Sequence, residues 1–179
     1  RNIRVETASG NMTLELTPEN DVIVNMGPPT LAPAAVPFTP ESTDKTQAVS
    51  YKIEVAGHGL IELGAVSMGN RHSVIVVNNI DTAPVETLGP MIEAHASFPQ
   101  KVNVGFMQVI NRNHIKLRVF ERGVGETKAC GTGACGAVVS GVLRGLLDHT
   151  VKVDLPGGAL IIEWDGQGDV IMTGPTSNV

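Results

Sequence analysis

The sequence predicts an α+β fold in which strands enclose one buried helix. Short alternations of apolar and polar residues recur from Ile3 to Thr173, separated by turns rich in Gly, Pro and Asn. One small-residue run, residues 134–147, has helical spacing, with Ala134, Ala137, Gly141 and Gly145 set against Val138, Val142 and Leu146. A helix that is apolar on most sides belongs inside a fold. Hydrophobic residues make up 42% of the chain and aromatics only 3%, so the core must rely on Val, Ile, Leu and Met.

Ile3, Val5 and Thr7 alternate with Arg4 and Glu6 as a half-buried strand, and Met12, Leu14 and Leu16 form its hairpin partner across the Ser9-Gly10-Asn11 turn. Residues 21–26 are a third strand, ended by Gly27-Pro28-Pro29. The prolines at 28, 29, 33, 37 and 40 leave no regular element, and the loop runs on to about Ala48. Residues 51–56 and 60–67 are strands about the Gly57-His58-Gly59 turn, interrupted by Met68-Gly69-Asn70-Arg71-His72 before a buried strand at 73–77. Asp81 or Thr82 caps a short helix with Pro84 in its first turn, restarted at Gly89-Pro90 and finished by Phe98-Pro99. Residues 102–110 and 115–120 are strands, 151–155 and 160–164 form a hairpin over Pro156-Gly157-Gly158, and 170–173 is the last strand.

A length of 179 residues suits one domain. With a net charge of −5 and scattered lysines and arginines, nucleic acid is not expected as a partner. No apolar run reaches membrane-spanning length and no signal peptide opens the chain, so a cytoplasmic, membrane-free setting is expected. Two cysteines five positions apart make neither a disulfide framework nor a good zinc pattern. Arg1 opens on what reads as a strand in mid-fold, so further coding sequence is expected ahead of it.

The chemistry gathers at Glu121-Arg122-Gly123-Val124-Gly125-Glu126-Thr127-Lys128-Ala129-Cys130-Gly131-Thr132-Gly133. Gly131 and Gly133 let a ligand approach the backbone. A helix start offers free N–H groups and partial positive charge, which hold a carboxylate and ease ionisation of a thiol. Cys130 is therefore expected to be a reactive thiol at the mouth of an open cleft, while Cys135, one turn into the helix, reads as a small apolar filler. Free cysteine is often simply buried, and His72, Asn70, Asn103 and the Glu121–Arg122 pair each have an ordinary structural reading as well. His58, His95, His114 and His149 have no partner spacing that recommends them for chemistry.

The set of motifs resembles the diaminopimelate epimerase family. It runs from the first strand, Arg1 to Leu16, through Val66-Ser67-Met68-Gly69-Asn70-Arg71-His72, Glu86-Thr87-Leu88-Gly89-Pro90, Asn103-Val104-Gly105-Phe106, the 121–127 and 129–135 segments, to Leu155-Pro156-Gly157-Gly158 and Met172-Thr173-Gly174-Pro175. The resemblance implies a fold of two pseudo-symmetric halves, each a strand-built barrel wrapped around a central helix, with the active site between them. Residues 1–179 look like a single domain, the C-terminal half with flanking residues, the N-terminal half being absent. It implies a cofactor-independent epimerase that interconverts L,L- and meso-diaminopimelate with two cysteines, in lysine and peptidoglycan precursor synthesis, and a homodimer at full length. Cys130 matches the second cysteine, and the first has no match. His72 and Glu121 match groups that assist thiol proton transfer. Asn70, Asn103, Glu121 and Arg122 match side chains on the distal end of the substrate, and Gly131 and Thr132 match donors for the carboxylate at the reacting end. Arg71 stands where the family usually has proline, which would loosen the turn from Asn70 to His72.

Inverting a stereocentre takes a proton from one face and returns one to the other. Cys130 and Cys135 are separated by about 140° of net rotation on one helix and cannot clasp a carbon from both sides, so the second group must come from elsewhere. A thiolate base and a thiol acid coexist near neutral pH. N–H groups at Gly131, Thr132 and Gly133 suit charge developing on a carboxylate, and Arg122 with Glu121 suits a distal zwitterion. Two other readings compete: a ligand-binding half-domain without chemistry, and an isomerase of the proline or hydroxyproline racemase type. A small cyclic substrate has no distal zwitterion for Asn70, Asn103, Glu121 and Arg122 to hold, which argues against the latter.

Overall fold

The computed structural model describes residues 1–7, 10–41 and 47–176. Its strands are β1 (Asn2–Thr7), β2 (Gly10–Leu16), β3 (Asp21–Asn25), β4 (Tyr51–Val55), β5 (Gly59–Ser67), β6 (Arg71–Val76), β7 (Asn103–Asn111), β8 (His114–Glu121), β9 (Gly125–Thr127), β10 (Thr150–Leu155), β11 (Gly158–Glu163) and β12 (Ile171–Pro175). The α-helices are α1 (Val85–Glu93) and α2 (Gly131–Leu143). Among the described residues the strands form one sheet, ordered β1-β2-β3-β12-β11-β10-β8-β7-β6-β5-β4, with β9 paired to β8.

The expected hairpins are present, although Ser9 and residues 42–46 of the expected turn and loop lie outside the described residues. Two pairings were not legible in advance, since β6–β7 and β8–β10 are parallel. Each is a β-α-β crossover, over α1 and α2 respectively. The β7–β8 pair between them is antiparallel, so the two crossovers run in opposite strand senses but step the same way along the sheet. The right-handed preference of such crossovers then puts their helices on opposite faces.

The two cores follow that division. On the concave face, α2 lies against Val66, Val74, Met107, Leu117, Val119, Val153 and Ile162, with Val22 and Val24 of β3 joining from the far side. From Gly133 to Gly141 every residue of the helix is buried, which is the enclosed helix expected from the sequence. On the outer face, α1 packs with Ile53, Leu63, Ile75, Val104 and Phe106. The proline-rich segment, expected to be irregular, contributes a short 3-10 helix at Pro33–Ala35 and seats Phe38 against Tyr51 and Phe98, ring centroids 4.7 and 4.9 Å apart. Thr30 and Ser67 tie it to β5 through paired backbone hydrogen bonds of 2.9 Å.

Other expectations at the helices need correction. Neither Asp81 nor Thr82 caps α1, whose N-cap position is Pro84 without a side-chain bond, and the helix passes through Pro90 rather than restarting there. The α2 helix stops at Leu143, four residues short of the predicted end. Gly145 is not on its small face. It adopts φ +72° just past the C-cap, with Leu146 N–H donating to Gly141 O (2.9 Å) and Gly145 N–H to Val142 O (3.0 Å). This is a Schellman closure, in which glycine takes the left-handed position. Leu147 thereby folds back over Gly141, where any Cβ would collide with the leucine side chain. Gly136 is likewise crowded, by the His72 side chain rather than by backbone.

Gly145→Ala should lower the urea midpoint of unfolding, at a cost of about 1 kcal/mol for a Cβ in the left-handed region. A mid-helix glycine would give the opposite sign, since alanine there gains about 1 kcal/mol.

Candidate active site

Sheet register brings the candidate residues to one edge. His72, second in β6, lies opposite Asn103, which opens β7, and Val104 faces Phe120 near the end of β8. The starts of β6 and β7 and the end of β8 therefore coincide, and the chain leaving β8 returns through β9 to start α2 at the same edge. Gly157 N–H holds that return by donating to Lys128 O at 2.7 Å, and a Cβ on Gly157 would stand 2.8 Å from the same oxygen.

Cys130 is the N-cap of α2, in extended conformation at φ −146° and ψ 98°. Its Sγ accepts from Gly133 N–H at 3.3 Å, as a Ser or Asp oxygen does in an ordinary cap. Thr132 Oγ1 lies 3.7 Å from the sulfur and 3.1 Å from His72 Nε2, which is also 3.0 Å from Asn70 Oδ1. The Asn103 amide pins two segments, donating to Arg71 O (3.0 Å) and accepting from Arg122 N–H (2.7 Å). Asn70, His72, Asn103, Glu121, Arg122, Cys130, Gly131 and Thr132 thus share one edge.

The state of the thiol differs from the expectation. Cys130 is only 6% exposed, so it is covered rather than set at an open mouth. Burial, and after it the Glu121 carboxylate, pushes its pKa up to about 11, while the Gly133 N–H and the Thr132 hydroxyl act the other way. The helix-terminus donors are present, but desolvation and a neighbouring negative charge outweigh them. Cys135 is deeper still, with burial pushing it up to about 12, and both thiols are free. The His72 ring, 1% exposed, is driven down to about 4 by burial and is neutral at pH 7.

The Arg71 side chain is anchored. Its guanidinium donates to both Gln100 O (3.0 Å) and Gln100 Oε1 (2.7 Å), and Arg122 Nη1 donates to the same backbone oxygen at 3.1 Å. Gln100 therefore joins the Asn70 turn to the loop before β7, a link between positions 29 apart that no sequence signal announced. Away from this edge, His114 bonds Asp154 Oδ2 at 2.6 Å and His95 bonds Glu54 O at 2.7 Å.

The arrangement of strands about α2 recurs in solved structures of other proteins. The fold matches a probable proline racemase from Agrobacterium radiobacter (TM-score 0.67, 15% identity, 98% of this chain and 57% of that one). It also matches a hydroxyproline epimerase from Agrobacterium vitis (TM-score 0.66, 13% identity, 98% and 57%). These likenesses concern the fold alone. In sequence, the family model for diaminopimelate epimerase matches residues 64–179. The diaminopimelate epimerase of Thioalkalivibrio sulfidiphilus is 58% identical over 179 residues, covering 99% of this chain and 63% of the relative. That of Pseudomonas aeruginosa is 54% identical, covering 100% and 63%. The chain belongs to the diaminopimelate epimerase family, and it spans 63% of the length of these relatives.

Two measurements check this site. Alkylation followed by peptide mass spectrometry should label Cys130 well before Cys135, slowly at neutral pH and faster as pH rises toward 11. The folded pKa of His72 lies below its ordinary value, so the stability linked to it is complete above pH 6.5 and lost as pH falls through about 4. The fall in urea midpoint between those pH values should be smaller in His72→Gln than in the unsubstituted chain.

Proposed function

We propose that this chain supplies one face of a cofactor-independent diaminopimelate epimerase, as the C-terminal half of a longer protein. The observation that carries the reading is the convergence of Cys130, Glu121 and the α2 N-terminus with Asn70, Asn103 and Arg122 on one edge. Residues 1–179 act as one domain in this reading, and the part of the relatives not matched here brings the opposing cysteine.

Cys130 exchanges the α-proton on one face, with Glu121 as the group that takes up or returns the thiol proton. The carboxylate at the reacting end lies against the N–H groups of Gly131 and Thr132, where charge developing in the carbanion-like transition state meets fixed donors. The distal carboxylate pairs with the Arg122 guanidinium, a planar fork suited to it, and the distal ammonium with Glu121, Asn70 and Asn103. His72 assists proton transfer from the core of this half. The full-length protein works in the cytoplasm, as a homodimer.

One thiol on one face cannot invert a centre. In deuterium oxide with L,L- or meso-diaminopimelate, the 179-residue chain is expected to give no interconversion. A version extended upstream should be active and should lose about 10²–10⁴-fold on Cys130→Ala. Appreciable interconversion by the 179-residue chain alone would overturn the two-half scheme.

A further inference from the structure

The hydrogen bonds behind Cys130 decide where one hydroxyl proton goes. His72 Nε2 faces Asn70 Oδ1 at 3.0 Å and Thr132 Oγ1 at 3.1 Å. An amide oxygen only accepts, so Nε2 must carry a hydrogen. Burial keeps the ring neutral, which leaves Nδ1 bare. That single hydrogen is shared between Asn70 Oδ1 and Thr132 Oγ1, so the Thr132 hydroxyl cannot donate to the ring and its own proton is free to be donated elsewhere. Thr132 is the second residue of α2 and has no helical carbonyl behind it to receive that proton. The carbonyl four positions back, Lys128 O, already accepts from Gly157 N–H. Cys130 Sγ, at 3.7 Å, is the acceptor within reach.

We propose that Asn70, His72 and Thr132 form a relay that aims the Thr132 hydroxyl proton at the Cys130 sulfur, making Thr132 the positioning residue that sets how readily this thiol ionises. The relay gives the thiolate a second donor beside Gly133 N–H. The titratable groups that act on the sulfur are Glu121 from the end of β8 and Cys135 within α2, with the neutral His72 of β6 behind Thr132. Burial and then Glu121 oppose ionisation, while Gly133 N–H and Thr132 favour it. His72 reaches the sulfur only through the hydroxyl, and Asn70 only through His72, by fixing which ring nitrogen carries the hydrogen. Asn70 thereby acquires a task at the reacting end, in addition to the distal one the proposed function gives it. The inference rests on that reading for the use made of the thiol, but the relay itself does not need it.

The test is the pH dependence of Cys130 alkylation by iodoacetamide in this chain without substrate, so its outcome does not depend on epimerase activity. Thr132→Val should raise the half-point by about one pH unit, seen as roughly tenfold slower labelling at a fixed pH below it. Thr132→Ser, which keeps the hydroxyl, should label like the unsubstituted chain. Asn70→Ala should shift the same way as the valine variant although it never touches the sulfur. Without the amide oxygen the ring is free to take the other tautomer, whose bare Nε2 then accepts the threonine proton. Asn70 is exposed, so this arm stands even where a change at Thr132 disturbs packing. An unshifted profile for Thr132→Val or for Asn70→Ala overturns the relay, and so does a serine variant that titrates like valine.

Discussion

The fold depends on how closely the sheet can close over α2. At Gly64 a Cβ would land on the Ser140 hydroxyl, at Gly133 it would stand 3.1 Å from Val119, and at Gly136 3.2 Å from the Cβ of His72. Protein interiors are packed too densely to absorb such additions without displacement. The glycines on helix and sheet therefore set the radius at which the sheet can bend. That radius also sets the site, because the contact that crowds Gly136 is the one that holds His72 within reach of the helix N-terminus. Packing and chemistry share a single distance here, and neither can be relaxed without the other.

Given that enclosure, the ionisation of Cys130 is a contest between unlike forces. An N-cap sulfur is well placed for stabilisation by helix N–H groups, but the surroundings that let the helix fit have also removed water. Desolvation leads, Glu121 adds to it, and the donors at Gly133 and Thr132 recover only part. Cys135, five positions on, shows what the same interior does to a thiol without the cap, with burial pushing it up to about 12.

Much of this was legible in the sequence because it is local. Alternation gave the strands, the Ala- and Gly-rich run gave the buried helix, and the glycines around Cys130 marked the helix start. What escaped was set by pairing across distance. The parallel pairs β6–β7 and β8–β10 follow from which strands become neighbours, and short apolar runs look the same in either orientation. Gly145 was misread because a small residue four positions after Gly141 fits both a helix face and a helix stop. Spacing alone does not report a positive φ. At the site, residue identities could be read but not burial, so the thiol looked reactive when it is covered. The Gln100 link, joining Arg71 and Arg122 through one carbonyl, rests on a loop conformation that no motif encodes.

The raised thiol bears on how the proposed chemistry divides its labour. In a two-thiol scheme one sulfur starts ionised and the other protonated. Cys130, with its pKa at about 11, is the protonated one at rest. It is then the donor to the carbanion in one direction. In the other it becomes a base only if its proton is first taken up, and Glu121 is the carboxylate beside it. A pKa of about 11 works against that role near neutral pH. The driving force for removing an α-proton grows with the basicity of the thiolate, but the fraction of thiolate at neutral pH falls as its pKa rises, so a base works best with a pKa near the operating pH. For Cys130 to alternate between acid and base in the proposed scheme, the completed site has to bring its pKa down from about 11, and the donors already in place for that are Gly133 N–H and the Thr132 hydroxyl.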